Sequence, residues 1–215
     1  MARLVAFGCS NTYGQALNDC YNKKNKSYGP QASKFAWPAI LAKKLNLEVC
    51  NYGIPGASNK QIWNTILDSK LYDTDIVVIL WSHLDRYCFF NEKGIEKIIA
   101  SNRKSKIRTA ISTRAKLYYK FFHSDLDLKL DTFLRINHIH TYLKDLSITQ
   151  YHLQCSGKDL IATGEIPWNK VNILYDIDFR KTRKNYPCAL DNSHANEDAH
   201  YDFATQIEKY ILNNK

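Results

Sequence analysis

Apolar residues in this chain fall into short unbroken runs separated by stretches with helical spacing. Arg3 to Phe7 runs into Gly8, Glu48 to Asn51 runs into Tyr52-Gly53-Ile54-Pro55-Gly56, and Asp75-Ile76-Val77-Val78-Ile79-Leu80-Trp81 is continuous and β-branched. Runs without alternation predict parallel strands covered on both faces, with the third at the sheet centre. Ile148 to Leu153 and Val171 to Tyr175 predict two further strands, with a loop over Gly157 to Asn169 between them. Helical periodicity marks Ser33 to Leu45, where Phe35, Ile40, Leu41 and Leu45 share a face, and then Asn59 to Leu67 and Asp131 to Leu146. It returns in Asn196 to Leu212, which carries Ala199, Phe203, Ile207, Tyr210 and Ile211. Strands alternating with helices predict a three-layer α/β/α domain around a five-stranded parallel sheet. Asn91 to Leu130, basic and aromatic, breaks this rhythm. It reads as a helical insertion after the third strand, spanning 91–147 once its closing helix is counted.

Length and charge narrow the picture. At 215 residues the chain fits one domain, 1–215, and no apolar run is long enough to cross a bilayer. The first residues hold one Arg and too few apolar positions for a secretory segment, so a cytoplasmic protein is expected. The six cysteines, at 9, 20, 50, 88, 155 and 188, include no Cys-x-x-Cys pair and are read as reduced thiols, with no metal or cofactor expected. The net charge of +9 comes largely from Lys93 to Lys120 and from Arg180-Lys181-Thr182-Arg183-Lys184. With no nucleic-acid-binding motif beside it, this charge reads as a solvated face, and nucleic acid is not an expected partner.

In an open parallel sheet, ligands bind beyond the carboxyl ends of the strands. The segments that meet this condition are Gly8-Cys9-Ser10, Asn51 to Gly56, Ser82-His83, and Asp191-Asn192-Ser193-His194 before the last helix. Serine hydrolysis needs a nucleophile, a base within reach and a third group that holds the base's tautomer. Ser10, His194 and Asp191 supply those types, although each alone is also an ordinary turn or cap residue. Other candidates point elsewhere. His138 and His140 are two apart in a helix and face different ways, so they form no metal pair. His200 is expected on the exposed or substrate-facing side of the last helix. Tyr118-Tyr119 and Phe121-Phe122 read as core, and Gly53 and Gly56 lack the Gly-Lys-Ser/Thr of a phosphate loop.

Taken together, Phe7-Gly8-Cys9-Ser10-Asn11-Thr12, Asn51-Tyr52-Gly53-Ile54-Pro55-Gly56-Ala57-Ser58 and Asp191-Asn192-Ser193-His194-Ala195-Asn196-Glu197-Asp198-Ala199 resemble the first, second and last blocks of the SGNH (GDSL-type) hydrolases. Ala36-Trp37-Pro38-Ala39-Ile40-Leu41 is similar to a segment many members carry before the second block. The resemblance implies a flavodoxin-like domain with Ser10 as nucleophile, His194 as base and Asp191 as its orienting carboxylate. It also implies an oxyanion hole from the Ser10 and Gly56 amides. The family's third-block Asn aligns near His83, and His83, Ser82 or Arg86 is left to take its place. Cys9 stands where the family has Asp, and Ala195 where a proline often follows the histidine. The implied activity is cleavage of an O-acyl ester on a small molecule or glycan. The alternative is a weakly active or inactive protein of this fold that binds a glycan or a protein partner. Oligomeric state is left open.

Overall fold

The computed structural model describes residues 2–99, 110–155 and 171–214. Five parallel strands build the main sheet: β1 (Arg3–Gly8), β4 (Glu48–Gly53), β5 (Ile76–Trp81), β8 (Thr149–Gln154) and β9 (Ile173–Asp178). Their order is β4-β1-β5-β8-β9. The sheet is thus flavodoxin-like, and its topological switch point lies between β1 and β5. Two short hairpins flank it, β2 (Tyr21–Asn22) with β3 (Ser27–Tyr28), and β6 (Tyr87–Asn91) with β7 (Gly94–Ile98). The described helices are α1 (Ser10–Tyr13), α2 (Trp37–Lys44), α3 (Asn59–Leu67), α4 (Ala110–Phe121), α5 (Asp125–Asp145), α6 (Phe179–Arg183) and α7 (Glu197–Asn213).

The unbroken apolar runs serve a sheet covered on both sides. Leu4, Ala6, Val78 and Leu80 face one way onto Trp37 and Leu41 of α2 and Phe203, Ile207 and Ile211 of α7. Val5, Phe7, Val77 and Ile79 face the other way onto Ile62 and Ile66 of α3 and Phe133, Ile136, Ile139 and Leu143 of α5. Strand alternation therefore splits each run between two cores. β4 closes one edge of the sheet, with Val49 42% exposed.

Several boundaries differ from expectation. α2 begins at Trp37, and Phe35 lies outside it, 44% exposed and not on the buried face. Pro38 sits in the first helical turn, where its missing N–H costs nothing, and Ala36, which caps the helix, is extended. α5 starts six residues early, at Asp125, with the Ser124 hydroxyl capping the Asp127 amide. The insertion is helical in α4 but is preceded by the β6–β7 hairpin, closed by an Asn91-Glu92-Lys93-Gly94 turn. Aromatic residues there divide: Tyr118 is buried, whereas Phe121 and Phe122 are 62% and 73% exposed. The loop expected over Gly157 to Asn169 falls outside the described residues. No described helix is long and apolar enough to cross a membrane.

Candidate active site

β1 delivers the chain into a sharp turn at its carboxyl end. Cys9 is extended, and Ser10 opens the single turn of α1, which ends at Gly14 in the left-handed conformation. Ser10 is buried, 3% exposed. The Asn51 block is bolted onto this turn. The Ile54 amide donates to the Gly8 carbonyl at 2.9 Å, and Asn51 Nδ2 donates to the Thr12 carbonyl at 2.7 Å. Gly53 lies so close to α1 that a Cβ would meet Thr12 C at 2.8 Å and Tyr13 Cα at 2.9 Å. Gly56 has φ of +74°, a left-handed backbone that glycine adopts without strain. Neither the Ser10 nor the Gly56 amide donates to a backbone carbonyl among the described residues.

The late turn is internally fixed. Asp191 Oδ1 accepts from the backbone amides of Ser193 and His194, each at 2.9 Å, and Oδ2 pairs with His194 Nδ1 at 2.5 Å. Burial pulls the Asp191 carboxyl upward, but the backbone and side-chain hydrogen bonds from His194 outweigh it and hold the group below its ordinary range. His194 Nε2 is left without a protein partner among the described residues. This turn is fastened toward Ser10: Leu190 donates to the Ala16 carbonyl at 3.2 Å, and Asn18 Nδ2 donates to Glu197 at 2.8 Å. The structure thus joins Asp191 to His194 and Ser10 to the Gly56 segment. It draws no hydrogen bond between Ser10 and His194, a contact that in ligand-free sites is commonly long and tightens with substrate.

The end of β5 forms the remaining wall. Ser82 is buried; its amide donates to Asn59 Oδ1 at 2.7 Å, and its hydroxyl accepts from Arg86 at 3.0 Å. His83 is half-buried, with Nε2 3.6 Å from Cys155 Sγ, so its ring meets a thiol. Asn11 Nδ2 donates to the same sulfur at 2.9 Å. Cys155 and Cys9, both free thiols, share a hydrogen bond, and that contact together with burial pushes the Cys155 thiol well up. Asn59 escaped the sequence reading. Its side chain donates to the Ser82 carbonyl and to Thr132, each at 3.2 Å, tying α3, α5 and β5 together. Its signal was a polar residue just inside a helix start, where capping explains it equally well.

His200 corrects an expectation. It is 1% exposed, and its Nδ1 accepts the Trp37 amide at 3.1 Å. The residue lies on the buried stripe of α7 with Phe203, Ala204 and Ile207, where it closes the amino end of α2. His138 and His140 do face different partners: His138 Nδ1 accepts from Trp63 at 2.8 Å, while the His140 ring lies 6.0 Å from that of His152. Among the described residues no cluster of His, Cys, Asp or Glu is disposed to hold a metal.

No protein-family model and no curated protein matches this sequence. Solved structures do. A member of the lipolytic protein G-D-S-L family from Veillonella parvula DSM 2008 shares 11% identity over 100% of both chains, with TM-score 0.51. The acetyl xylan esterase AlAXEase shares 12% identity over 98% of this chain and 100% of its own, with TM-score 0.53. An acetyl xylan esterase from the rumen bacterium Butyrivibrio proteoclasticus shares 12% identity over 99% of this chain and 63% of its own, with TM-score 0.55. The sheet order, the helical layers and these likenesses agree: the chain has the fold of the SGNH (GDSL-type) hydrolases.

Proposed function

We propose that the protein is a serine esterase that removes an O-acyl group from a small molecule or glycan, with Ser10 as nucleophile, His194 as base and Asp191 as its orienting carboxylate. The observation that carries this reading is the Asp191–His194 pair at 2.5 Å, which commits Nδ1 as donor and leaves Nε2 as the basic nitrogen. That pair is tethered to the segment just after Ser10. In the first half-reaction Nε2 takes the Ser10 proton as Oγ attacks the ester carbonyl. The imidazolium then returns the proton to the leaving alcohol, and an acyl-enzyme is left. Water activated by the same nitrogen releases the acid and regenerates Ser10. The Ser10 and Gly56 amides, with His83 at the edge, are the donors for the developing oxyanion, a contribution of about 3 kcal/mol per donor. The esterases that share the fold support the reaction class. Six free thiols suit a cytoplasmic setting.

Ser10→Ala tests the reading. Hydrolysis of 4-nitrophenyl acetate is expected to fall to the uncatalysed rate while the circular dichroism spectrum stays unchanged. Equal turnover by both proteins overturns it.

A further inference from the structure

Among the described residues, two cations stand beside this site without a counter-ion. Arg86 is half-buried in the loop between β5 and β6 and spends one guanidinium donor on Ser82 Oγ at 3.0 Å. Lys97, on β7, is half-buried and donates to the Pro55 carbonyl at 2.6 Å. A Cβ on Gly56 would lie 3.6 Å from Lys97 Cδ, so this side chain covers the residue offered as an oxyanion donor. No carboxylate among the described residues pairs with either cation. Glu96, the acidic neighbour on β7, is engaged by Arg114. Burial lowers the Lys97 ammonium, against a raising influence of Cys88 and with a smaller lowering by Arg86, and the Cys9 thiol next to Ser10 is depressed first by its hydrogen bond with Cys155 and then by Arg86. The hairpin pairs Lys97 with Cys88, two residues after Arg86, which brings the two cations to the same part of the hairpin. The hairpin that carries Lys97 is held down by buried Ile98 and by the Tyr87 ring stacked on Tyr118 at 5.1 Å.

Half-buried cations with unused donors are costly unless an anion completes them. Arg offers five N–H donors and Lys three, so most remain open here. We propose that Arg86 and Lys97 form an anion-binding subsite beside Ser10 and Gly56, and that the ester cleaved there sits on a molecule carrying a carboxylate, sulfate or phosphate group, such as an acidic sugar. The subsite orients the substrate through charge-assisted hydrogen bonds while Ser10 attacks its acyl group. This rests on the esterase reading for the reaction but not for the binding.

The test compares methyl O-acetylglucuronoside and O-acetylglucose 6-phosphate with neutral methyl O-acetylglucoside. At least one anionic ester is expected to show kcat/KM about tenfold or more above the neutral one, as a charge-assisted contact implies. That preference should erode with salt and vanish in Arg86→Gln/Lys97→Met. Equal kcat/KM for all three in the unaltered protein overturns the subsite. Calorimetry with Ser10→Ala separates the two claims. Tighter binding of an anionic sugar with no turnover of any ester by the unaltered protein retains the subsite and removes the esterase. Equal affinity for charged and neutral sugars removes the subsite whatever the turnover.

Discussion

Asp191 accepts three hydrogen bonds, two from backbone amides of its own turn and one from the His194 ring. Replacing it with Asn keeps the shape but offers the imidazole a donor where an acceptor is needed. In serine hydrolases this tautomer error lowers kcat by about 10⁴-fold. Asp191→Asn is therefore expected to lose kcat on 4-nitrophenyl acetate by about that factor with little change in KM, as steady-state kinetics will show. Gly53 offers a purely steric counterpart. A methyl there would press on the Thr12 and Tyr13 backbone, which cannot yield without shifting α1 and Ser10. Gly53→Ala should lower stability by about 1–3 kcal/mol in urea unfolding and reduce activity beyond that, because backbone has to move rather than a side chain.

The strands were legible because a run such as Val77-Val78-Ile79-Leu80 admits little besides a covered strand. The α7 stripe of Ala199, Phe203, Ile207 and Ile211 was equally plain, and all four are fully buried. His200 was misread because a polar residue at i−3 from Phe203 looks solvent-facing until its partner, an amide 163 positions away, is known. The β6–β7 hairpin was missed for a related reason. Phe89, Phe90 and Ile95 are 40–43% exposed, so its pattern reflects a partly covered hairpin face and not a core. Asp191 and His194 stood out through their spacing and Ser10 through its place after a strand, whereas Arg86 and Lys97 are brought near each other by the hairpin and have no sequence pattern in common. Helix ends carry their own prediction. Ser58 caps α3 through the Gln61 amide, and α3 presents Asn59 to β5. Ser58→Ala should cost about 1 kcal/mol in unfolding free energy.

Across the whole molecule, two buried histidines set an acid limit. His152 accepts from Trp81 Nε1 at 3.1 Å, and His200 accepts the Trp37 amide, so each needs a neutral ring. Burial lowers both to about 3, with a smaller push from His140 on the first and from His194 on the second. Between roughly pH 6.5 and that value the unfolded chain binds protons the native state refuses, so stability rises with pH through the window. Acidification from pH 7 to 5 should lower the unfolding free energy by about 1.4 kcal/mol per histidine for each unit below 6.5. Urea unfolding at several pH values checks this, and His200→Gln should flatten the slope by one proton's worth. The same fold holds the Asp191–His194 turn and the Ser10 turn at one end of the sheet, and we propose that these act as one catalytic unit. The most direct measurement is mass spectrometry of the protein after treatment with diisopropyl fluorophosphate. A single phosphoryl adduct is expected on the peptide containing Ser10, lost in Ser10→Ala and strongly slowed in His194→Ala. An unmodified Ser10, in a protein that still hydrolyses 4-nitrophenyl acetate, would contradict it.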